Sequence, residues 1–312
     1  MLDDAAQKTM KEDGLAASAL SHLVVTVDDL GRADFYRDTL GFAVAGHDMI
    51  AACGASVTLA GANGGLLVLS RAENRPDLSA TGVHQAYAVA PKARGAIRER
   101  LAAQGIAVHS YKEDRPAEEG DNFYFTDPAG NRIQIVADPA RADGPPALHH
   151  AAVHVANMWW AETFYTTTLG CAVEHRVGWK TADYARAKLW AAGKEDMAPG
   201  TRRMDKRYSS MVANREMPRV NLQIYLRIGN VPFALYLANQ HIQEPPEEIL
   251  IGTPRTGFAV SAAMLEATRR RLDQARWPHS GPTVHKDGVL AQSLYFKDPG
   301  GNFIELCVRN DA

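Results

Sequence analysis

Only three cysteines, Cys53, Cys171 and Cys307, occur in 312 residues, and no C-x-x-C pair is present. That excludes a disulfide framework and a zinc ribbon, leaving the three as small buried apolar side chains. No apolar run reaches the roughly 20 residues that span a bilayer. The opening stretch, MLDDAAQKTMKEDGLAASAL, mixes acids with lysines where a secretory signal needs a basic start and an apolar run. A cytoplasmic protein with no membrane partner is the expectation. An excess of one charge is also missing: 34 Lys and Arg face 36 Asp and Glu, for a net charge of −2. This argues against nucleic acid as a partner and for a small-molecule substrate. The chain has no Gly-rich phosphate loop, nucleophile elbow or HExxH. What is there is an ordinary globular balance, 46 % hydrophobic and 22 % charged, at a length that suits two domains of about 150 residues.

The chain repeats itself. His22 opens the run HLVVTV and is followed by Phe35-Tyr36 and Leu40-Gly41; His150 opens HAAVHV and is followed by Phe164-Tyr165 and Leu169-Gly170. Later in each half, YFTDPAGNRIQ at 124–134 echoes YFKDPGGNFIE at 295–305. Two ordered motif pairs at matching positions mark a duplication. The Pro/Ala/Gly-rich stretch near Asp138–Pro146 reads as a linker. This gives a tail over 1–19, a first domain over 20–140, a linker over 141–147 and a second domain over 148–312. Each half divides again into two modules. His84–Val89 reads as a strand before a helix over 92–104, and Thr256–Val260 as a strand before a helix over 262–275. The Asp-Pro-x-Gly-Asn segments are tight turns leading into strands. The fold class is therefore α+β, with four modules. The halves are offset by 128 residues at His22/His150 and by 171 at Gln134/Glu305, so 43 residues are inserted in the third module. The polar, basic stretch near 180–218 is the candidate insert, either a solvated excursion or a lid or oligomer contact.

The paired FY-x3-LG and DP-x-GN motifs resemble those of the vicinal oxygen chelate superfamily, which includes glyoxalases, bleomycin- and fosfomycin-resistance proteins and type I extradiol dioxygenases. The resemblance runs from about Leu20 to Val308. It implies βαβββ modules, four in all, paired into two glyoxalase-like domains, each a curled mixed sheet around a metal-binding cavity. Two module pairs in about 300 residues look like the extradiol dioxygenase layout, in which the C-terminal pair holds the metal.

Carried over position by position, the resemblance puts metal ligands at His150 and Glu305 in the second half. The rival set in the first half is His22, His84 and Gln134. The middle position of the second half holds Arg255 or Thr256 where the first half has His84, and the first half has Gln134 where the second has Glu305. A third ligand from His154, His241 or His285, pairing of modules across the halves, and a cavity without metal all stay open. Independently of the resemblance, strand alternation puts His150, Ala152 and His154 on one face and turns His149 away as a structural residue. Glu305 lies between Ile304 and Leu306, a costly place for an acid unless it is ligated or paired, and an ion pair with Arg255 is the plainer reading. Tyr295 matches the active-site tyrosine of several extradiol dioxygenases, although a strand aromatic in the core would look the same. The resemblance implies a divalent metal, Fe(II) first and Mn(II) second, with dioxygen as co-substrate. The leading expectation is a ring-cleaving dioxygenase of a catecholic compound. A glyoxalase-like isomerase or lyase and a metal-free, resistance-type binding protein are the alternatives, and a homo-oligomer is compatible with each.

Overall fold

A computed structural model describes residues 14–75, 82–110, 122–155, 158–177, 223–237 and 244–310, apart from the side chain of Trp159. The insert near 180–218, His241 and most of the N-terminal tail lie outside the described residues. Module one contains β1 (Ala19–Val27), the one-turn helix α1 (Ala33–Phe35), β2 (Ala43–His47), β3 (Ser56–Ala60) and β4 (Leu66–Arg71). Module two contains β5 (His84–Val89), α2 (Pro91–Ala103), β6 (Phe123–Thr126) and β7 (Arg132–Ala137). Module three contains β8 (Ala147–Val155), α3 (Met158–Thr163), β9 (Ala172–Val177), β10 (Gln223–Ile228) and β11 (Val231–Leu237). Module four contains β12 (Arg255–Ala259), α4 (Ala262–Gln274), β13 (His279–Val284), β14 (Leu290–Lys297) and β15 (Phe303–Arg309). The two expected helices thus form within a residue or so of their predicted bounds. Pro91 presets the first turn of α2, and the Ser261 hydroxyl accepts a hydrogen bond from Met264 N–H to start α4.

Within each module the first strand runs parallel to the last, with the helix as crossover. In module two the bridge between His109 and Tyr124 marks where a further strand would lie. The sheets are assembled across the two halves of the chain. The eight-stranded sheet runs β13-β14-β15-β12-β1-β4-β3-β2 and joins modules four and one. The seven-stranded sheet runs β6-β7-β5-β8-β11-β10-β9 and joins modules two and three. Both joins are antiparallel, β1 with β12 and β5 with β8. The two mixed sheets give the α+β class expected, but each sheet pairs one module from either half of the chain, where the sequence pattern led to pairing within each half.

The repeated motifs hold each half together beneath this exchange. In both FY-x3-LG segments the chain passes through a π-helical turn, Tyr36–Leu40 and Phe164–Thr168, and leaves it near a glycine with positive φ, Gly41 at 91° and Gly170 at 72°. The buried Tyr36 hydroxyl donates to Asp127 Oδ2 at 2.5 Å, and the Tyr165 hydroxyl to Asp298 Oδ2 at 3.0 Å. Each of these aspartates accepts two backbone N–H bonds from its own turn, from Ala129 and Asn131 or from Gly300 and Asn302. The turn asparagines in turn donate to Thr26 O and His154 O on the central strands. The motifs therefore clamp module one to two and module three to four, while the sheets join one to four and two to three. The main core fills the space between, with Phe42, Phe125, Phe164, Phe233 and Phe258 among its largest side chains.

Candidate functional site

The residues that resemble a ligand set fall into two clusters, one on each sheet. In the eight-stranded sheet His22 on β1 and Glu305 on β15 reach across Gly257 of the intervening β12, with Nε2 3.0 Å from Oε2, both fully buried. Arg255 completes this cluster. Its Nε lies 2.7 Å from the same Oε2, a close ion contact without an aligned N–H bond, while its Nη atoms donate to the carbonyls of Ala51, Ala52 and Gly252. Ser293 Oγ donates to Glu305 Oε1 at 2.7 Å and sits 2.8 Å from His285 Nε2. Burial pushes the Glu305 carboxyl upward, but His22, Arg255 and Ser293 outweigh it and hold the pKa at about 2. Apolar Val24, Ile50, Cys53, Leu66, Val68 and Cys307 form a buried cluster on the same sheet. Here the guanidinium occupies the place beside Glu305 where a cation would stand. Tyr295 belongs to this cluster: it pairs with Glu305 across the strands and lies under the Arg255 guanidinium at 5.5 Å. Its buried hydroxyl is pushed up to about 12 by desolvation and the Glu305 charge.

The second cluster lies where β5 and β8 meet. His84 Nε2 and His150 Nε2 face each other at 3.2 Å, with the rings edge to face at 5.2 Å. His84 Nδ1 lies 2.7 Å from Gly82 O, which fixes Nδ1 as the donor and leaves Nε2 with its lone pair directed at His150. Gln134, on β7, is buried beside them, and its Oε1 makes no hydrogen bond. Desolvation is the main force lowering both imidazoles, to about 4 for His84 and well below the ordinary histidine range for His150, where the neighbouring His84 and His149 add to it. Both are therefore neutral, as ligands must be. Tyr124 and Tyr236 pack their rings 5.2 and 5.7 Å from His84, and Tyr225 lies 6.5 Å from His150. Beneath them the sheet presents Ala86, Ala152 and Ala234, at the positions that hold Gly257, Val24 and Val68 in the other sheet. A cavity of about 760 Å³ borders both clusters, with His84 and Ala152 on one side and Val24 and Arg255 on the other.

Among the expected ligands, His150 and Glu305 stand on different sheets and do not meet. His22 goes with Glu305, and His84 with His150 and Gln134. His285 lies beside Ser293 in the first cluster. His154 is partly buried, with its shielded Nδ1 unpartnered, and desolvation lowers it to about 4. Among the described residues no three His, Cys, Asp or Glu side chains are arranged to hold a metal ion. The His84–His150–Gln134 set reaches three donors only by counting an amide oxygen.

His149 departs from its expected place. The pairing register slips between Ala86/His150 and Tyr87/Leu148, so His149 is the extra residue of a β-bulge. The bulge turns it toward His150, with the two Nδ1 atoms 2.7 Å apart. The other sheet repeats the device: Ser21 is the bulged residue and its Oγ lies 3.3 Å from His22 Nδ1. Simple alternation misses both, yet a polar residue directly before each strand-opening histidine was the available signal.

Residues 19–135 match the family model described as the Glyoxalase/Bleomycin resistance protein/Dioxygenase superfamily. No curated protein matches the chain. Among solved structures, a Bacillus subtilis protein provisionally named a dioxygenase superposes with a TM-score of 0.61 at 12 % identity, covering 95 % of this chain and 86 % of its own. Glyoxalase I from Zea mays superposes at 0.55 with 16 % identity, covering 93 % and 92 %. These likenesses establish a shared fold.

Proposed function

We propose, from the match of residues 19–135 to the glyoxalase/bleomycin resistance protein/dioxygenase family model and the repeat of their motifs in the second half of the chain, that the protein is a metal-dependent enzyme with its site at His84, His150 and Gln134, acting as an extradiol-type ring-cleaving dioxygenase on a small catecholic compound. The observation that carries this reading is the pair of buried, neutral imidazoles whose Nε2 atoms converge at 3.2 Å next to the orphaned Gln134 oxygen. Two imidazoles and an amide oxygen are donors that suit a divalent iron or manganese ion and leave positions open for substrate. When bound, such an ion supplies Lewis-acid polarisation of the substrate oxygens and the redox chemistry of dioxygen.

The chain's own residues set what can bind. None of the three donors carries charge, so the substrate must bring the anions, as a deprotonated pair of neighbouring oxygens does. Tyr124, Tyr225 and Tyr236 form aromatic walls suited to a flat ring, and the alanine floor leaves it room. The hydroxyl-donor role expected of Tyr295 passes, in this cluster, to its repeat counterpart Tyr124. A glyoxalase-like proton transfer would call for a carboxylate base, and the buried Glu305 is held by Arg255 in the other sheet. That favours the dioxygenase over the isomerase.

A second reading, a metal-free binding protein, draws support from the lack of a three-member His, Cys, Asp or Glu cluster among the described residues. The discriminating experiment is elemental analysis of freshly purified protein, followed by anaerobic reconstitution with Fe(II) and oxygen-electrode assays across a catechol panel. Near one equivalent of iron with dioxygen uptake is the expected result. Oxygen-independent turnover points to an isomerase or lyase, and no metal after reconstitution leaves the binding protein in front.

A further inference from the structure

His149, His150 and His84 stand in line. His149 Nδ1 is 2.7 Å from His150 Nδ1, His150 Nε2 is 3.2 Å from His84 Nε2, and His84 Nδ1 is 2.7 Å from the Gly82 carbonyl. The carbonyl can only accept, so His84 carries its proton on Nδ1 and its Nε2 is an acceptor. Two neutral lone pairs at 3.2 Å repel, so in the metal-free chain the proton between these rings sits on His150 Nε2. His150 Nδ1 is then an acceptor, and the proton at the far end of the chain is on His149 Nδ1. Every site in the line is satisfied in this one arrangement.

We propose that this line is a tautomer switch, with His149 the positioning residue that sets it. Resting on the metal site assigned above, the proposal adds how that site is held without metal and how it opens. For His150 Nε2 to become a ligand it must give up its proton. It can do so at no change in charge if it keeps one proton on Nδ1, now donated to His149 Nδ1. His149 then carries its proton on Nε2. Each of the two rings exchanges one tautomer for the other, by losing a proton from one nitrogen and gaining one on the other. Solvent carries the protons, reaching the line through the half-buried His149 ring, and no proton is released overall. The β-bulge is what makes this possible, because regular alternation would turn His149 to the opposite face. In the sister cluster the same bulged position holds Ser21, whose hydroxyl can likewise donate or accept by rotation.

The test is nitrogen-15 NMR of the histidine rings, with and without Zn(II) as a diamagnetic probe, at a pH where all three rings are neutral. Metal-free protein should show His150 protonated on Nε2 and His149 on Nδ1, and Zn(II) should move both protons to the other nitrogen. His149→Phe, which cannot take part, should weaken Zn(II) binding on the order of 10- to 100-fold. His149→Ser, copying the Ser21 arrangement, should keep it within a few-fold. His150 protonated on Nδ1 already in the metal-free chain, or equal Zn(II) affinity in wild type and His149→Phe, overturns the switch. Failure of wild type to bind Zn(II) or Fe(II) at all overturns the metal site instead, and the metal-free tautomers still report on the resting arrangement. Unchanged His84 resonances in the variants verify that the fold is intact.

Discussion

Arg255→Met tests the view that the guanidinium stands in for a cation in the eight-stranded sheet. Glu305 is fully buried and receives His22 at 3.0 Å, Arg255 at 2.7 Å and Ser293 at 2.7 Å. Removing one partner of a buried pair while leaving the other costs about 3–5 kcal/mol. The carbonyls of Ala51, Ala52 and Gly252 lose a donor as well, but His22 remains to share the charge. A loss of about 4 kcal/mol at pH 7 is therefore expected in urea unfolding followed by circular dichroism. The double variant Arg255→Met/Glu305→Leu, which removes both charges, should lie at least about 2 kcal/mol above the sum of the singles. The pH dependence has a definite sign. The folded pKa of about 2 lies below the ordinary value of 4.5, so the contribution is present above pH 4.5 and is lost as pH falls toward 2. In Arg255→Met that loss should begin at higher pH. A cost under about 1 kcal/mol, or additive singles, would refute the reasoning.

Three further outcomes are expected. Gln134→Ala should lower the iron content of reconstituted protein on the order of 10-fold or more, while Glu305→Gln leaves it unchanged, and elemental analysis of both decides. Tyr36→Phe leaves a buried aspartate oxygen short of its donor and should cost about 1–3 kcal/mol in thermal or urea unfolding, with Tyr165→Phe behaving alike. In Gly257→Ala the added Cβ would stand 2.3–2.5 Å from the His22 ring, so a loss of about 1–3 kcal/mol is expected; an unchanged melting temperature would mean that the ring moves freely.

The modules were legible because their motifs are local. FY-x3-LG and DP-x-GN are fixed by a turn geometry and a tyrosine–aspartate bond, so they survive in the sequence as recognisable words. Helix periodicity and the strand His84–Val89 follow from short-range pattern alone. Partner choice between modules is not local. Nothing in the runs HLVVTV or HAAVHV says which distant strand each will bond, and so His150 and Glu305 looked like one site when they belong to two. The Arg255–Glu305 pair could be anticipated, because a buried acid demands a partner and the histidine expected there is missing. His149 was misjudged for a different reason: one extra residue in a strand inverts the facing rule, and a bulge has no single-residue signature.

The nesting of the modules also bears on the order in which the protein can be made. The inner sheet closes between β5 and β8, the first strands of two consecutive modules, and can form while synthesis is under way. β1 must wait for β12, its Leu23 pairing with Thr256, with one edge of its backbone unbonded for most of translation. Such an edge invites a strand from another molecule. A chain ending after Leu237 should therefore keep the inner sheet but self-associate through β1, visible as a larger mass by light scattering. A monomeric fragment with β1 protected from hydrogen exchange would contradict this. The last module to be synthesised is thus the bolt that closes the first.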